Sequence, residues 1–279
     1  GSTLEGFDCN PLMYEYIFDK AWGLGISDKE WIKKWADRRS GVADEKNSAS
    51  WGLLYDSIYT GTSKTGHCSM INSRPNVNKQ ERYAKIDLTY NNKTLLKAWG
   101  EMLNCDSKER SSYQYDIVNI GRQVLGNYFN DLWILYKGAL KVKDYKEMQR
   151  LRMVMTCLMT DIDELLRTQQ SFLLGKWIAD ARAMGVDYNE ADYYEMNARN
   201  LLTTWGYKDQ VLNDYANRTW AGLVSGYYLY RWELFFNEAE KAVKTCSGFD
   251  YKAYVNMVSD FEVKWWKDRS GNYNDKPEG

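Results

Sequence analysis

Residues 205–236 contain the densest group of side chains that could form a binding surface. The segment reads WGYKDQVLNDYANRTWAGLVSGYYLYRWELFF, and aromatic and small residues alternate in it more densely than on an ordinary helix surface. The chain holds 12 Trp and 22 Tyr, whose amphipathic rings suit packing between helices or a surface that faces a sugar. The pattern predicts one wall of a binding site on a helical scaffold, with most of the other aromatic residues used for packing.

The acidic run Asp161, Asp163 and Glu164 raises the question of a di-iron site. Such a site in a helical bundle requires two Glu-x-x-His pairs, and the chain contains one histidine. Zinc is excluded similarly, because the five cysteines include no pair at metal-ligand spacing. The acidic run is therefore predicted to be a solvated helix face, and no metal or cofactor is expected.

Two other places offer reactive side chains. His67 and Cys68 are adjacent, but neighbouring side chains rarely point at one another and no third group is available to orient them. Glu5 precedes the first helix in the segment LEGFDCNP, on irregular backbone beside Gly6, where a side chain can face a cleft. On chemistry alone this segment is more simply an irregular chain end.

Composition excludes several classes of function. The 37 Lys and Arg nearly balance the 38 Asp and Glu, and a formal net charge of −1 provides no field that would attract a nucleic acid. No apolar run approaches the roughly 20 residues that span a bilayer, and no secretory signal is recognisable at the beginning. The chain is therefore expected to be either cytoplasmic or a piece of a longer protein.

The elements that must position these residues are predicted to be helices. With three prolines in the chain, little interrupts long helices, and the three- and four-residue recurrence of apolar side chains is that of amphipathic helices. The predicted class is all-α, a multi-helix bundle without a substantial sheet. The predicted helices are 11–22, 27–39, 47–59, 94–103, 113–140, 144–170, 172–184, 189–204, 212–244 and 250–268.

The segments between the helices carry further predictions. The short connection 141–143 should fold the two longest helices into an antiparallel hairpin, and the polar loop 61–89 interrupts the pattern. The polar tail after residue 268 is expected to fray. Arg199 and Arg231 are expected to pair with carboxylates such as Asp192 or Glu195 and hold helices in register.

The order of motifs along the chain is similar to that of the α-N-acetylglucosaminidases, the glycoside hydrolases that remove terminal α-linked N-acetylglucosamine. The similarity extends from the first residues to about residue 236. The motifs that carry it are EGFDCNPLMYEYIFDKAW, WADRRSGV, SRP, FLLGKWIADAR, DYYEMNAR, WG and NDYANRTWAGLVSGYY.

This resemblance implies a domain plan. In the family an all-helical region packs against a catalytic (β/α)8-type barrel, so residues 1–11 would end that barrel or a linker, and 12–279 would form the C-terminal α-helical domain. The implied partners are the protein's own barrel and glycans that end in α-linked N-acetylglucosamine. The implied location of the full-length protein is secreted or periplasmic.

The resemblance also assigns roles to individual residues. Glu5 matches the catalytic nucleophile, whereas the general acid/base of the family lies in barrel strands that precede this chain. Trp205 and Tyr215 match aromatic positions that face the substrate pocket, and Leu212 and Asp214 are nearby candidates for substrate binding.

Because a retaining hydrolase needs two carboxyl groups, the chain alone is expected to be inactive. The alternative interpretation is a free-standing helical module that binds a glycan or a protein and performs no chemistry.

Overall fold

A computed structural model describes residues 11–23, 25–59, 69–77, 88–106, 108–208 and 212–278. Ten α-helices occur within these ranges. The same ranges contain no β-strand, only one isolated β-bridge between Leu173 and Ala221. The all-α prediction is confirmed. The helices are α1 Pro11–Ala21, α2 Asp28–Ser40, α3 Glu45–Tyr55, α4 Asn92–Leu103, α5 Ser111–Val142, α6 Tyr145–Arg167, α7 Leu174–Arg182, α8 Tyr188–Leu202, α9 Leu229–Lys244 and α10 Tyr251–Lys267.

Most helix boundaries follow from capping residues. Ser27 accepts a hydrogen bond from the Glu30 backbone N–H at 3.2 Å, which begins α2 where the sequence predicts it. Gly41 ends the same helix with φ 83°. The third helix begins two residues earlier than predicted, because Asp44 caps the N–H groups of Lys46 and Asn47.

The chain divides into two compact units, and the division falls within α5, between Asn127 and Tyr128. The described residues of the first unit are those up to 59 together with 88–127. Its core stacks Trp31 on Trp35 at 5.7 Å and sets Trp51 edge-on to Trp35 at 5.4 Å. An ion pair joins the partly buried Arg39 of α2 to the buried Asp116 of α5, with an N–O distance of 2.6 Å.

The second unit comprises 69–77 and 128–278 among the described residues. Its core is aromatic: Trp133 lies 5.0 Å from Trp232 and 5.4 Å from Phe235, in edge-to-face contacts. The connection between the helices of the predicted hairpin, α5 and α6, is two residues long. There the backbone reverses at Lys143 with φ 59°, and the Asp144 N–H donates to the Ala139 carbonyl at 2.9 Å.

The prediction of one helix over 212–244 is wrong. A π-helical turn, Val224–Tyr228, leads into α9, and the residues before it are irregular. Asp214, Asn217 and Gly222 have φ values of 63°, 49° and 82°, in the left-handed region that a right-handed helix cannot include. Asp and Asn tolerate this conformation better than other non-glycine residues, so the sequence NDYAN allowed it.

The acidic run of α6 is only partly solvated, contrary to the prediction. Asp161 and Glu164 are exposed, but Asp163 is buried. Its Oδ1 accepts hydrogen bonds from the backbone N–H groups of Gly222 at 2.8 Å and Ser225 at 3.0 Å. The carboxylate therefore caps the π-helical turn.

Candidate functional site

The aromatic residues predicted to line a binding site lie between α8 and α9. Trp205 has φ 52°, a conformation that costs a bulky residue about 1–2 kcal/mol and persists only where its surroundings impose it. Asn200 imposes it here, since its carbonyl accepts from the Trp205 N–H at 2.8 Å and its side-chain amide donates to the Gly206 carbonyl at 2.6 Å. The backbone around the indole is therefore fixed by hydrogen bonds.

Trp205 and Tyr215 form an aromatic pair at the surface of the second unit. Their ring centroids lie 5.3 Å apart at an interplanar angle of 84°, an edge-to-face arrangement. The side chains are 39% and 52% exposed, respectively. The structure thus brings together two predicted site residues that are ten positions apart in sequence and leaves part of both rings open to solvent.

A backbone hydrogen bond near these rings links the two segments that carry them. The Asp214 N–H donates to the Thr203 carbonyl at 2.8 Å, and the Tyr215 N–H donates to the Leu212 carbonyl at 2.9 Å. Leu212 is partly buried, and Asp214 is buried. Of the predicted pocket residues, Trp205, Leu212 and Tyr215 are therefore accessible, whereas Asp214 points its charge into the protein.

Asp214 belongs to a cluster of four charged side chains, three of them buried and the fourth, Arg74, partly buried. Arg231 of α9 donates from one terminal nitrogen to Asp214 Oδ1 at 2.8 Å and to Glu262 Oε1 at 2.9 Å. Arg74 donates from Nε to Glu262 Oε1 at 2.9 Å and from its backbone N–H to Asp214 Oδ2 at 3.3 Å. Two cations face two anions, so the cluster is neutral only when all four groups are charged.

The surroundings shift the pKa values of the two carboxyl groups in opposite directions. Burial raises the pKa of Asp214, and the Glu262 charge adds to this effect, against the opposing charges of Arg231 and Arg74. Burial also acts to raise the pKa of Glu262, but the hydrogen bond from Arg74 and the charge of Arg231 outweigh it, so that pKa is lowered. Glu262 is therefore the better-stabilised anion.

A second set of contacts fixes the irregular segment that follows Tyr215. Arg231 also donates to the Asn72 carbonyl at 2.8 Å, and the Asn72 amide donates to Asn217 Oδ1 at 2.7 Å and Thr219 Oγ1 at 2.8 Å. The segment 69–77, which contains a short 3₁₀ turn at Met70–Asn72, thus braces the residues that follow Tyr215.

Sequence reasoning assigned no role to Arg74 or Glu262. Glu262 did carry a signal, because it follows Tyr254 and Val258 at four-residue steps on the buried face of α10. A carboxylate on an apolar helix face requires a buried cation. Arg74, which pairs with Glu262, was noted in the sequence only as the arginine of the SRP motif.

The predicted partners of the two arginines are half right. Arg199 Nε donates to Glu195 Oε1 at 2.8 Å, one turn away on α8, as expected. Arg231 pairs with Asp214 and Glu262 rather than with Asp192 or Glu195, because its helix faces α10 and the irregular segment.

The tail after α10 is mostly exposed, but contrary to the prediction of fraying it is held against the second unit at several residues, including Tyr273, Asn274 and Glu278. The ring of Tyr273 lies 5.1 Å from the Arg199 guanidinium, whose other close ring is Trp265 at 5.0 Å. A Cβ atom added at Gly175 would lie 2.1 Å from the Asn274 carbonyl oxygen, and one at Gly222 would lie 2.9 Å from the Tyr273 ring. Glycine is therefore required where the tail crosses α7 and the start of the π-helical turn.

Other predicted groups lie outside the described residues or form no site within them. Glu5, His67 and Cys68 fall outside the described ranges. Across the ranges that are described, no three side chains of the metal-binding types are grouped to hold an ion, and no helix is long and apolar enough to cross a membrane.

Comparisons with known proteins agree on one family. The profile of the Alpha-N-acetylglucosaminidase (NAGLU) C-terminal domain matches residues 31–279. The human protein Alpha-N-acetylglucosaminidase is 30% identical over 269 residues, which cover 94% of this chain and 36% of the human one.

Solved structures of a family 89 glycoside hydrolase from Clostridium perfringens have the same fold. The complex with 2-acetamido-1,2-dideoxynojirmycin superposes with a TM-score of 0.86 at 26% identity, over 96% of this chain and 32% of that one. A variant of that enzyme with two glutamates replaced by glutamine, in complex with its substrate GlcNAc-α-1,4-galactose, gives a TM-score of 0.86 at 27% identity. The chain spans about a third of the length of these relatives.

Proposed function

Since the chain belongs to the α-N-acetylglucosaminidases of glycoside hydrolase family 89, as their C-terminal domain, we propose that it walls the pocket of such an enzyme for a terminal α-linked N-acetylglucosamine. Trp205, Tyr215 and Leu212 contact the sugar in this proposal. The rest of the pocket, apart from Glu5, belongs to a catalytic barrel that lies mainly in the part of the protein preceding this chain.

The observation that carries the proposal is the open ring pair of Trp205 and Tyr215. An indole held in a strained backbone conformation and left 39% exposed is an arrangement that packing alone does not require. Sugar rings present apolar C–H faces and hydroxyl groups. An indole face supplies apolar contact to the first, and a tyrosine hydroxyl supplies a hydrogen bond to the second.

The proposed chemistry is retaining hydrolysis with two carboxyl groups about 5–5.5 Å apart. Glu5 attacks the anomeric carbon while a carboxylic acid of the barrel protonates the departing glycosidic oxygen. Water then breaks the glycosyl–Glu5 ester, and the barrel carboxylate accepts its proton. The Clostridium perfringens relative, whose substrate complex was obtained with two glutamates replaced, supports this assignment by analogy.

The compartment is part of the same proposal. Enzymes that trim the ends of glycans meet their substrates where glycans are displayed or degraded, so the full-length protein is proposed to be secreted or periplasmic and to act in carbohydrate metabolism.

The test uses the full-length protein and an aryl α-N-acetylglucosaminide as substrate. Trp205→Ala is expected to raise KM about tenfold or more, because an aromatic contact of somewhat over 1 kcal/mol is lost. Tyr215→Ala should act in the same direction. Glu5→Gln is expected to abolish turnover while the substrate still binds.

Two matched controls separate a sugar contact from loss of an exposed ring. Trp177 is 40% exposed and Tyr230 is 52% exposed, nearly the fractions of Trp205 and Tyr215. Trp177→Ala and Tyr230→Ala should leave KM within about twofold, because each ring packs elsewhere, on Trp220 and Phe261 respectively. Equal KM values for Trp205→Ala and Trp177→Ala would rule out the proposed wall.

A further inference from the structure

The buried charge cluster sits directly behind the exposed ring pair. Asp214 precedes Tyr215 in sequence, and its backbone N–H binds the carbonyl of Thr203, two residues before Trp205. The same residue therefore reaches both ring-bearing segments through its backbone and the cluster through its side chain. Asp214 is therefore connected through the backbone to both ring-bearing segments.

The Asp214 carboxylate is already engaged on both oxygens. Oδ1 accepts from Arg231 at 2.8 Å and Oδ2 accepts from the Arg74 backbone N–H at 3.3 Å. The residue is 7% exposed, and it lies in the left-handed region with φ 63°. This environment suits an anchor rather than a group that exchanges water for a sugar hydroxyl.

The anchor extends to three separate elements through Arg231. This guanidinium is fully buried and binds Asp214, Glu262 of α10 and the carbonyl of Asn72. Arg74 closes the cluster from the same segment as Asn72, since it contacts both Asp214 and Glu262. Loss of one member leaves an unpaired charge in a dry environment, which forces the others to rearrange.

We propose that Asp214 is a positioning residue, which holds Trp205 and Tyr215 at the pocket through Arg231 and Glu262 and does not itself bind substrate. Glu262, whose side chain has no exposed surface, is a positioning residue of the same device. That the charge cluster matters for catalysis rests on the proposed function. The coupling between the cluster and the two rings does not depend on it.

The coupling is tested in the 279-residue chain without substrate. The 12 tryptophans are labelled as 5-fluorotryptophan, and the ¹⁹F resonance of Trp205 is identified from the Trp205→Phe spectrum. Asp214→Asn and Glu262→Gln preserve side-chain shape and remove one charge each. Both are expected to displace or broaden the Trp205 resonance, although Glu262 is too deeply buried to touch any ligand.

Asp116→Asn is the matched control, because Asp116 is also a buried carboxylate, paired with the partly buried Arg39, in the other unit. It should leave the Trp205 resonance in place. If Glu262→Gln does not fold by circular dichroism, Arg74→Lys replaces it, since this change keeps the charge and loses the two-point contact with Glu262. A smaller displacement of the same resonance is then expected.

The kinetic arm uses the full-length protein. Glu262→Gln should raise KM about ten- to a hundredfold through misplacement of the pocket wall, with a smaller change in kcat. An unchanged Trp205 resonance in the folded Asp214→Asn and Glu262→Gln variants overturns the positioning role, and so does an equal displacement in Asp116→Asn. Weaker substrate binding by Asp214→Asn with an unmoved resonance assigns Asp214 to direct contact, which also overturns it.

The two proposals fail separately. The fluorine spectra are recorded without substrate, so a negative result there does not affect the proposal that Trp205 and Tyr215 contact the sugar. An unchanged KM for Trp205→Ala in the full-length protein overturns the proposed sugar contact and does not affect the coupling between the charge cluster and the rings.

Discussion

Asp163 shows how a single buried carboxylate fixes the backbone next to the candidate site. It lies on α6 and accepts hydrogen bonds from the N–H groups of Gly222 and Ser225. Asp163→Ala leaves both partly buried donors without this partner, and the free energy of unfolding is expected to fall by about 1–3 kcal/mol. Urea denaturation of the two proteins measures the difference.

Asp161 provides the control, two positions away on the same helix. It is exposed, so Asp161→Ala should change the free energy of unfolding by no more than about 0.5 kcal/mol. Equal losses for the two variants would contradict the capping role of Asp163.

Sequence could identify the exposed ring pair but not the charges behind it. The aromatic density of 205–236 indicates a binding surface, and Trp205 and Tyr215 were selected within it because they match aromatic positions of the family that face the pocket. The partners of Arg231 depend on how an irregular segment, a 3₁₀ turn and α10 meet. No local pattern encodes contacts between residues 72, 214 and 262. Asp163 has the same problem, because its ligands are backbone groups about 60 residues away.

At the scale of helices, two of them end at a residue in the left-handed conformation that is not glycine. These residues are Lys143 after α5 and Cys246 after α9. Cys246 follows α9 with φ 54°, and the Ser247 N–H donates to the Ala242 carbonyl at 2.9 Å. Glycine adopts this conformation without steric strain. Cys246→Gly is therefore expected to raise the free energy of unfolding by about 0.5–1 kcal/mol, as measured by thermal or urea denaturation.

The same substitution at Cys157 should have the opposite sign. Cys157 is also exposed but lies inside α6, where glycine has a helix propensity a few tenths of a kcal/mol less favourable than that of cysteine. If both Cys→Gly changes are destabilising, the left-handed conformation at residue 246 does not carry the strain assigned to it.

Helix positions were predictable where a cap and an apolar stripe agree. Ser27 with Gly41 gave α2 nearly to the residue, and the long periodic stretches gave α5 and α6 within a few residues. The helix predicted over 212–244 failed because its apolar spacing continues through residues whose backbone is left-handed. Periodicity records which side chains are apolar, and the backbone there follows the buried charges instead.

For the whole molecule, the 279-residue chain is expected to show no hydrolysis of an aryl α-N-acetylglucosaminide. The chain spans about a third of its relatives, and it lacks the proposed acid/base of the barrel. General acid catalysis alone contributes a factor of about 10²–10⁴ in rate. The measurement compares product release by equal amounts of this chain and of the full-length protein.

A background control uses the Glu5→Gln form of the 279-residue chain. Turnover by the unmodified chain above that background would show that the residues present here suffice for chemistry. The assignment of the second carboxyl group to the barrel would then be wrong.

The class and the family were predictable at this scale because they depend on properties distributed along the chain. The small number of prolines, the helical periodicity and the order of several motifs still indicate the class and the family when one helix is predicted wrongly. The boundary between 1–11 and 12–279 stays a prediction. The tail of the chain was misjudged, because its polar composition does not show that Tyr273 stacks on Arg199 and that Gly175 and Gly222 leave room for it.

This packed tail has a consequence for the order of events during synthesis. Arg199 and Gly175 leave the ribosome long before Tyr273 and Asn274, which lie against them in the folded protein. During that interval one face of the Arg199 guanidinium and the backbone at Gly175 lack these contacts. The second unit therefore reaches its final packing only after residues 273 and 274 have left the ribosome, and a nascent chain arrested at residue 269 would expose a surface that these residues cover in the folded protein.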